Sequence, residues 1–185
     1  FRSVSALSSS SLRITWQPSI GAQAYEILRS DREVGPFARI AETGETTLTD
    51  TGLAANTTFY YQITAINDSG RSRNSPTASR KTQPISPPSP PDSVKAQPLS
   101  STSIQVSWKP LTGANSYTVH RGTSATGQFQ TAGTATQCTL AVGSLNPATT
   151  YYFKVQAVNA GGTSAFSALC SARTQDPPIV APGKP

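Results

Sequence analysis

The stretches LRITW and IQVSW carry an apolar side chain at every second position, through Leu12, Ile14 and Trp16 in one and Ile104, Val106 and Trp108 in the other. YEILR and YTVHR alternate in the same way, through Tyr25 and Ile27 and through Tyr117 and Val119. The longest runs are FYYQITAIN and YYFKVQAVN. They set Phe59, Tyr61, Ile63 and Ala65 on one face of the first, and Tyr151, Phe153, Val155 and Ala157 on one face of the second. A period of two predicts strands with one buried and one wet face. No long stretch repeats apolar residues at i, i+3, i+4 and i+7, so no helices are predicted.

The pattern occurs twice at a fixed offset. Trp16 and Trp108 are 92 positions apart. Tyr25 and Tyr117, Arg29 and Arg121, Phe37 and Phe129, Leu53 and Leu145, Asn67 and Asn159, and Thr82 and Thr174 keep that offset without a gap. A gapless repeat of this length is a duplicated domain, not a short solenoid unit. Each copy holds several short strands, and two sheets packed face to face give a β-sandwich. The expected organisation is a first domain at residues 1–83, a Pro-rich linker at 84–91, a second domain at 92–175 and a Pro-rich tail at 176–185. Proline fixes φ and lacks an N–H, so PISPPSPPDS cannot enter a sheet. It favours polyproline II, in which residues 84–91 span roughly 25 Å and hold two autonomous domains apart.

Each copy has a Trp on its second strand, then A-x-x-Y at Ala22–Tyr25 and Ala114–Tyr117, then L-x-x-x-T at Leu53–Thr57 and Leu145–Thr149. An aromatic strand follows and ends in A-x-N with a glycine soon after, before Ser and Thr close the repeat. As a set this resembles the fibronectin type III family, twice, over nearly the whole chain. The resemblance implies an all-β chain of two immunoglobulin-like, seven-stranded β-sandwiches in tandem. The wording YEILRS, GPF and DTGL is similar to copies found in secreted bacterial multidomain proteins.

That likeness implies an extracellular chain, secreted or at a cell surface. It implies a non-catalytic spacer or scaffold in a larger protein, such as a polysaccharide-degrading enzyme, with flanking domains of the same chain as partners. The alternative is an adhesin, filament or surface stalk that binds protein or polysaccharide through exposed loops. The family usually places a Tyr six residues after the Leu, its hydroxyl bonded back to the chain. Tyr151 stands there in the second copy and Phe59 in the first. The first copy is therefore expected to lack that bond or obtain it otherwise, and to be the less stable by ~1 kcal/mol if all else is equal.

Composition adds mostly exclusions. The net charge is +6, but the Lys and Arg are scattered, and no nucleic-acid partner is expected. Arg71 and Arg73 in NDSGRSRNS form the one local concentration, a weak candidate contact loop. His120 is the sole histidine, too few for a histidine metal cage or a nucleophile–base triad. Between residues 92 and 175 the only acid is Asp92, so the second domain lacks the carboxylate pair of a glycosidase. With no calcium-loop or phosphate-binding glycine motif either, neither an enzyme nor a metal or other cofactor is expected. No apolar run approaches the roughly 18 residues of a membrane span, so this segment is expected not to insert in a membrane.

Trp16 and Trp108 are expected in the core, and Tyr60 and Tyr152 on the opposite, solvent side of their strands. Cys138 and Cys170 both fall in the second domain. Counting favours a disulfide in a secreted chain. The family's fold sets those strands in different sheets, which leaves two buried, inert thiols as the other outcome. Asn56 in NTT and Asn67 in NDS fit the glycosylation acceptor pattern. The chain begins at Phe1 without a Met and ends in DPPIVAPGKP, which reads as a stretch of something longer.

Overall fold

The computed structural model describes residues 1–178, and the chain divides between Ile85 and Ser86 into two compact units. In the first unit the strands are β1 (Ser3–Ala6), β2 (Ser11–Thr15), β3 (Ala24–Ser30), β4 (Ala38–Thr43), β5 (Thr47–Thr51), β6 (Thr58–Asn67), β7 (Gly70–Arg71) and β8 (Ala78–Lys81). They form two antiparallel sheets, β1–β2–β5 and β4–β3–β6–β7, with β8 also paired to β6. The second unit repeats this with β9 (Lys95–Pro98), β10 (Ile104–Ser107), β11 (Ser116–Gly122), β12 (Gln130–Ala135), β13 (Thr139–Val142), β14 (Thr150–Asn159), β15 (Gly162–Thr163) and β16 (Cys170–Arg173). Its sheets are β13–β10–β9 and β12–β11–β14–β15, with β16 also on β14. The architecture is all-β, as the alternation requires.

Alternate residues of β2, β3 and β6 point inward and make the first core: Leu12, Ile14, Tyr25, Ile27, Phe59, Tyr61 and Ile63, with Trp16 beside them. Ile104, Val106, Trp108, Tyr117, Val119, Tyr151, Phe153 and Val155 do the same in the second. Each tryptophan meets a tyrosine ring at a steep angle, Trp16 on Tyr25 at 5.5 Å and Trp108 on Tyr117 at 5.1 Å. Such edge contacts suit the ring quadrupoles. The tyrosine hydroxyls accept backbone N–H groups of the preceding loop, from Ser19 at 2.8 Å and Leu111 at 3.1 Å.

The expected seventh strand is split in two in each unit, as β7 with β8 and as β15 with β16. The gap is closed by serines. Ser72 and Ser75 each bond β6 through their backbone N–H, and their hydroxyls accept the N–H groups of Ala65 and Ile63. Ser164 and Ser167 do the same for Ala157 and Val155. Strand N–H groups left unpaired in a packed sheet are costly, and a hydroxyl aimed at each one satisfies them. Thr82 and Thr174 complete the closure. Each accepts from the chain at Thr57 or Thr149 and donates to the Ala54 or Asn146 carbonyl.

The Pro-rich segment forms no strand, and its second half lies on the second unit. Pro91 is buried, and Asn159 Nδ2 donates to the Ser86 carbonyl at 3.0 Å. Of the expected tail, Asp176 pairs with Arg173 at 3.1 Å, and residues 179–185 lie outside the described residues.

The corner tyrosine divides the copies. Tyr151 accepts the Asn146 N–H at 3.0 Å, as the family pattern implies. Phe59 has no hydroxyl to do so, but Tyr61, two residues on, donates to Asp50 Oδ2 at 2.7 Å in the buried interior. Arg29 Nη1 donates to both Asp50 oxygens, at 2.9 and 3.0 Å. All else is therefore not equal, because the first copy holds a different buried anchor. Tyr61→Phe is expected to cost the first unit about 2 kcal/mol, because the lost bond is to a buried carboxylate. Tyr151→Phe should cost the second about 1 kcal/mol, its lost bond being to a neutral N–H. Urea unfolding of each unit expressed alone checks both.

Candidate functional site

The loop NDSGRSRNS joins β6 to β8 and carries the sequence's only basic concentration. Arg71 does not project freely from it. Its Nη1 donates to Glu26 Oε2 at 2.8 Å, and Arg39 Nε sits 3.3 Å from the other oxygen. Arg39 also pairs with Glu42 at 2.7 Å. Glu26 lies on β3 in register between Glu42 of β4 and Thr64 of β6, and only 5% of its surface is exposed. A carboxylate that buried needs partners, and the two arginines supply them. Of the two candidate contact residues, Arg71 is thus largely committed to the fold, whereas Arg73 is exposed.

Arg71 also lines a shallow cleft of about 350 Å³ between the Ser19–Ala22 turn and the β6–β7 hairpin. Ile20 stands fully exposed on its rim. Asn67 is tied into this end of the sandwich. Its Nδ2 donates to the Gly21 carbonyl at 3.0 Å, and its Oδ1 accepts the Ser69 N–H. That side chain is used by the loop, while Asn56 is exposed in a left-handed turn with φ 53°.

In the second copy the positions of Glu26, Arg39, Glu42 and Arg71 are Thr118, Thr131, Thr134 and Thr163. The same sheet face there carries Lys154, which lies 4.5 Å over the Phe129 ring and 5.6 Å over Phe166. Phe166 in turn meets His120 edge-on at 5.0 Å. His120 is on the outward side, as its position in β11 requires, yet its Nε2 is buried with no hydrogen-bond partner. Burial lowers its pKa below the ordinary value. Among the described residues no group of three His, Cys, Asp or Glu side chains gathers as a metal cage would need. Among the described residues no helix is long and apolar enough to cross a membrane.

Trp16 and Trp108 are 5% and 6% exposed, so neither can serve as a sugar platform. Tyr60 and Tyr152 are half-buried. The two cysteines are free thiols, both half-buried against the second core. Cys138 sits in the turn before β13, in the three-stranded sheet, and Cys170 opens β16, in the five-stranded one. Burial pushes the Cys170 thiol up to about 11.

Two outcomes follow from this geometry. Arg71→Ala should destabilise the first unit by ~1 kcal/mol, since it strips a partner from Glu26 but is itself half-exposed, while Arg73→Ala should be neutral in the same thermal melt. For Cys170 the folded state holds the proton more tightly than the unfolded chain does. Its contribution to stability is complete below pH 9.0 and fades as pH rises through about 11. Cys170→Ala should remove that part of the alkaline loss, read as the difference between the two pH–stability curves of the second unit.

Comparison with known proteins agrees with this architecture. The Fibronectin type III domain model matches residues 2–81 and 89–173. Exoglucanase B of Cellulomonas fimi is 31% identical over 191 residues, covering 94% of this chain and 16% of that protein. Interference hedgehog of Drosophila virilis is 27% identical over 139 residues, covering 69% of this chain and 15% of that protein. The chain thus spans about a sixth of these relatives. A two-domain fibronectin type III segment of chicken tenascin covers 93% of this chain at 18% identity, with a TM-score of 0.48. With the family model matched in both halves, and the Trp, the corner leucine and the closing threonine in place in each, the chain belongs to the fibronectin type III family, as two domains in tandem.

Proposed function

We propose that this chain is a non-catalytic connecting segment of a larger extracellular protein that degrades polysaccharide. The observation that carries the reading is the match to exoglucanase B, which takes in 94% of this chain but only 16% of that protein. A segment of that kind accompanies a catalytic region without supplying it. The internal architecture supports the reading. Each unit closes around its own core, so each holds its shape whatever flanks it. The proline-rich segment between them restricts backbone freedom more than a Gly/Ser linker would. The work done is geometric: holding flanking modules at a set reach from each other or from a surface. Partners in this reading are the neighbouring domains of the same polypeptide.

The test uses the native polypeptide from its source. Peptide mass spectrometry should show a much longer chain with a separate hydrolase region. A chain made of little besides such repeats would overturn the reading in favour of an adhesive or filamentous protein. Within the long protein, replacing residues 1–178 by a Gly/Ser linker should leave hydrolysis of a short soluble oligosaccharide within about twofold and slow attack on an insoluble polymer several-fold, as loss of set reach predicts. Equal loss on both substrates would mean that the segment takes part in the chemistry.

A further inference from the structure

The two copies hold an arginine at the same place and treat it differently. Arg29 lies over the Phe59 ring at 5.5 Å and grips Asp50. Arg121, at the equivalent position, lies over the Tyr151 ring at the same 5.5 Å. The residue at the place of Asp50 is Val142, which is buried. Among the described residues no carboxylate stands within ion-pair distance of Arg121. The copy has lost the internal counter-ion and kept the cation, still braced on an aromatic ring.

The walls have changed with it. Arg121 lines a depression of about 360 Å³ together with Thr123, Gln128, Gln130, Ser144 and Asn146. At the last four of those positions the first copy carries Pro36, Ala38, Gly52 and Ala54. Where the arginine is neutralised internally, four of these five neighbours carry no side-chain hydrogen-bonding group, the fifth being Asp31 at the place of Thr123. Where it is not, they are amides and a hydroxyl. The side-chain amides of Gln128, Gln130 and Asn146 have no protein hydrogen bond among the described residues, and both glutamines are exposed. The floor is fixed: the Asn146 backbone is held by the Tyr151 hydroxyl at 3.0 Å and by Thr174 at 2.7 Å.

We propose that this depression binds an acidic sugar, with the carboxylate of a hexuronate residue on Arg121 and its ring hydroxyls on Gln128, Gln130 and Asn146. The arginine fork suits a carboxylate, and charge-assisted bonds of that type are the strong ones. Amides that both donate and accept suit vicinal hydroxyls, which do the same. A lone carboxylate on a peptide would use the arginine and leave the surrounding amides without a role. The volume falls at the lower end of small-ligand sites, about 300–1,000 Å³. The inference does not rest on the connecting role, because a connector needs no ligand and both copies would connect equally well.

The test is a titration of the ¹⁵N-labelled two-domain chain with galacturonate and its trimer, beside galactose, succinate and an aspartate-rich peptide. Galacturonate should shift the Arg121 Nε signal and the side-chain amides of Gln128, Gln130 and Asn146. Galactose and succinate should bind at least about tenfold more weakly, each lacking one half of the recognition. Arg121→Gln should lower the affinity by about tenfold or more while the second unit still melts cooperatively, within a few degrees of the parent chain, the lost ring contact accounting for the difference. Gln130→Ala installs a residue the first copy tolerates at that position, so it keeps the fold and should weaken binding as well. No response to either uronate overturns the site. A response to succinate or the peptide equal to that of galacturonate overturns the sugar assignment, and so does a response that survives both substitutions.

Discussion

Everything in this chain rests on burying alternate residues of three strands around one tryptophan, and doing so twice. Burying an aliphatic or aromatic side chain contributes about 1.5–3 kcal/mol, and each sandwich buries close to ten of them against the backbone entropy of its order. In each the tryptophan packs steeply against a tyrosine ring within that core. That packing fixes which face of every strand is wet. Once the faces are fixed, the polar work follows: tyrosine hydroxyls cap loop N–H groups, and paired serines repair the broken last strand.

The duplicated copies share this packing and differ in their charges. The first copy buries two of its carboxylates. Glu26 lies between two arginines, and Asp50 between Arg29 and Tyr61. The second copy has dropped the acids and replaced one whole network by threonines. Two of its cations lie on aromatic rings, Arg121 on Tyr151 and Lys154 on Phe129. A cation over a ring is stabilised without being neutralised, which leaves its charge available to something outside the chain. Copies with the same core can therefore connect alike and still recognise differently.

Legibility from sequence followed the same division. The 92-residue offset, the inward faces, the core tryptophans and the corner tyrosine were all readable, because a strand's side-chain period is set by the backbone alone. The split of the last strand was not readable. Nothing in RSRNSPTASRK marks where pairing stops, since serines there read as loop residues until the facing N–H groups are located. The candidate pair Arg71 and Arg73 read as an exposed patch because the partner of Arg71, Glu26, is 45 residues away in sequence. Arg121 went unremarked as a site although the offset that aligns it with Arg29 was visible. The informative signal was the loss of Asp50's equivalent, and its meaning depends on knowing that Asp50 faces Arg29.

The sequence by itself determined the family, the duplication, the all-β class and which apolar side chains of the long strands are buried. These are properties of local period and spacing. Only the tertiary structure decided which charges are cancelled and which stand free, because an ion pair is a relation between residues on different strands. It also decided that the Tyr61 hydroxyl reaches Asp50 where Phe59 has no hydroxyl to offer. In each case the deciding quantity is a distance across the sandwich, and a linear pattern contains no such distance.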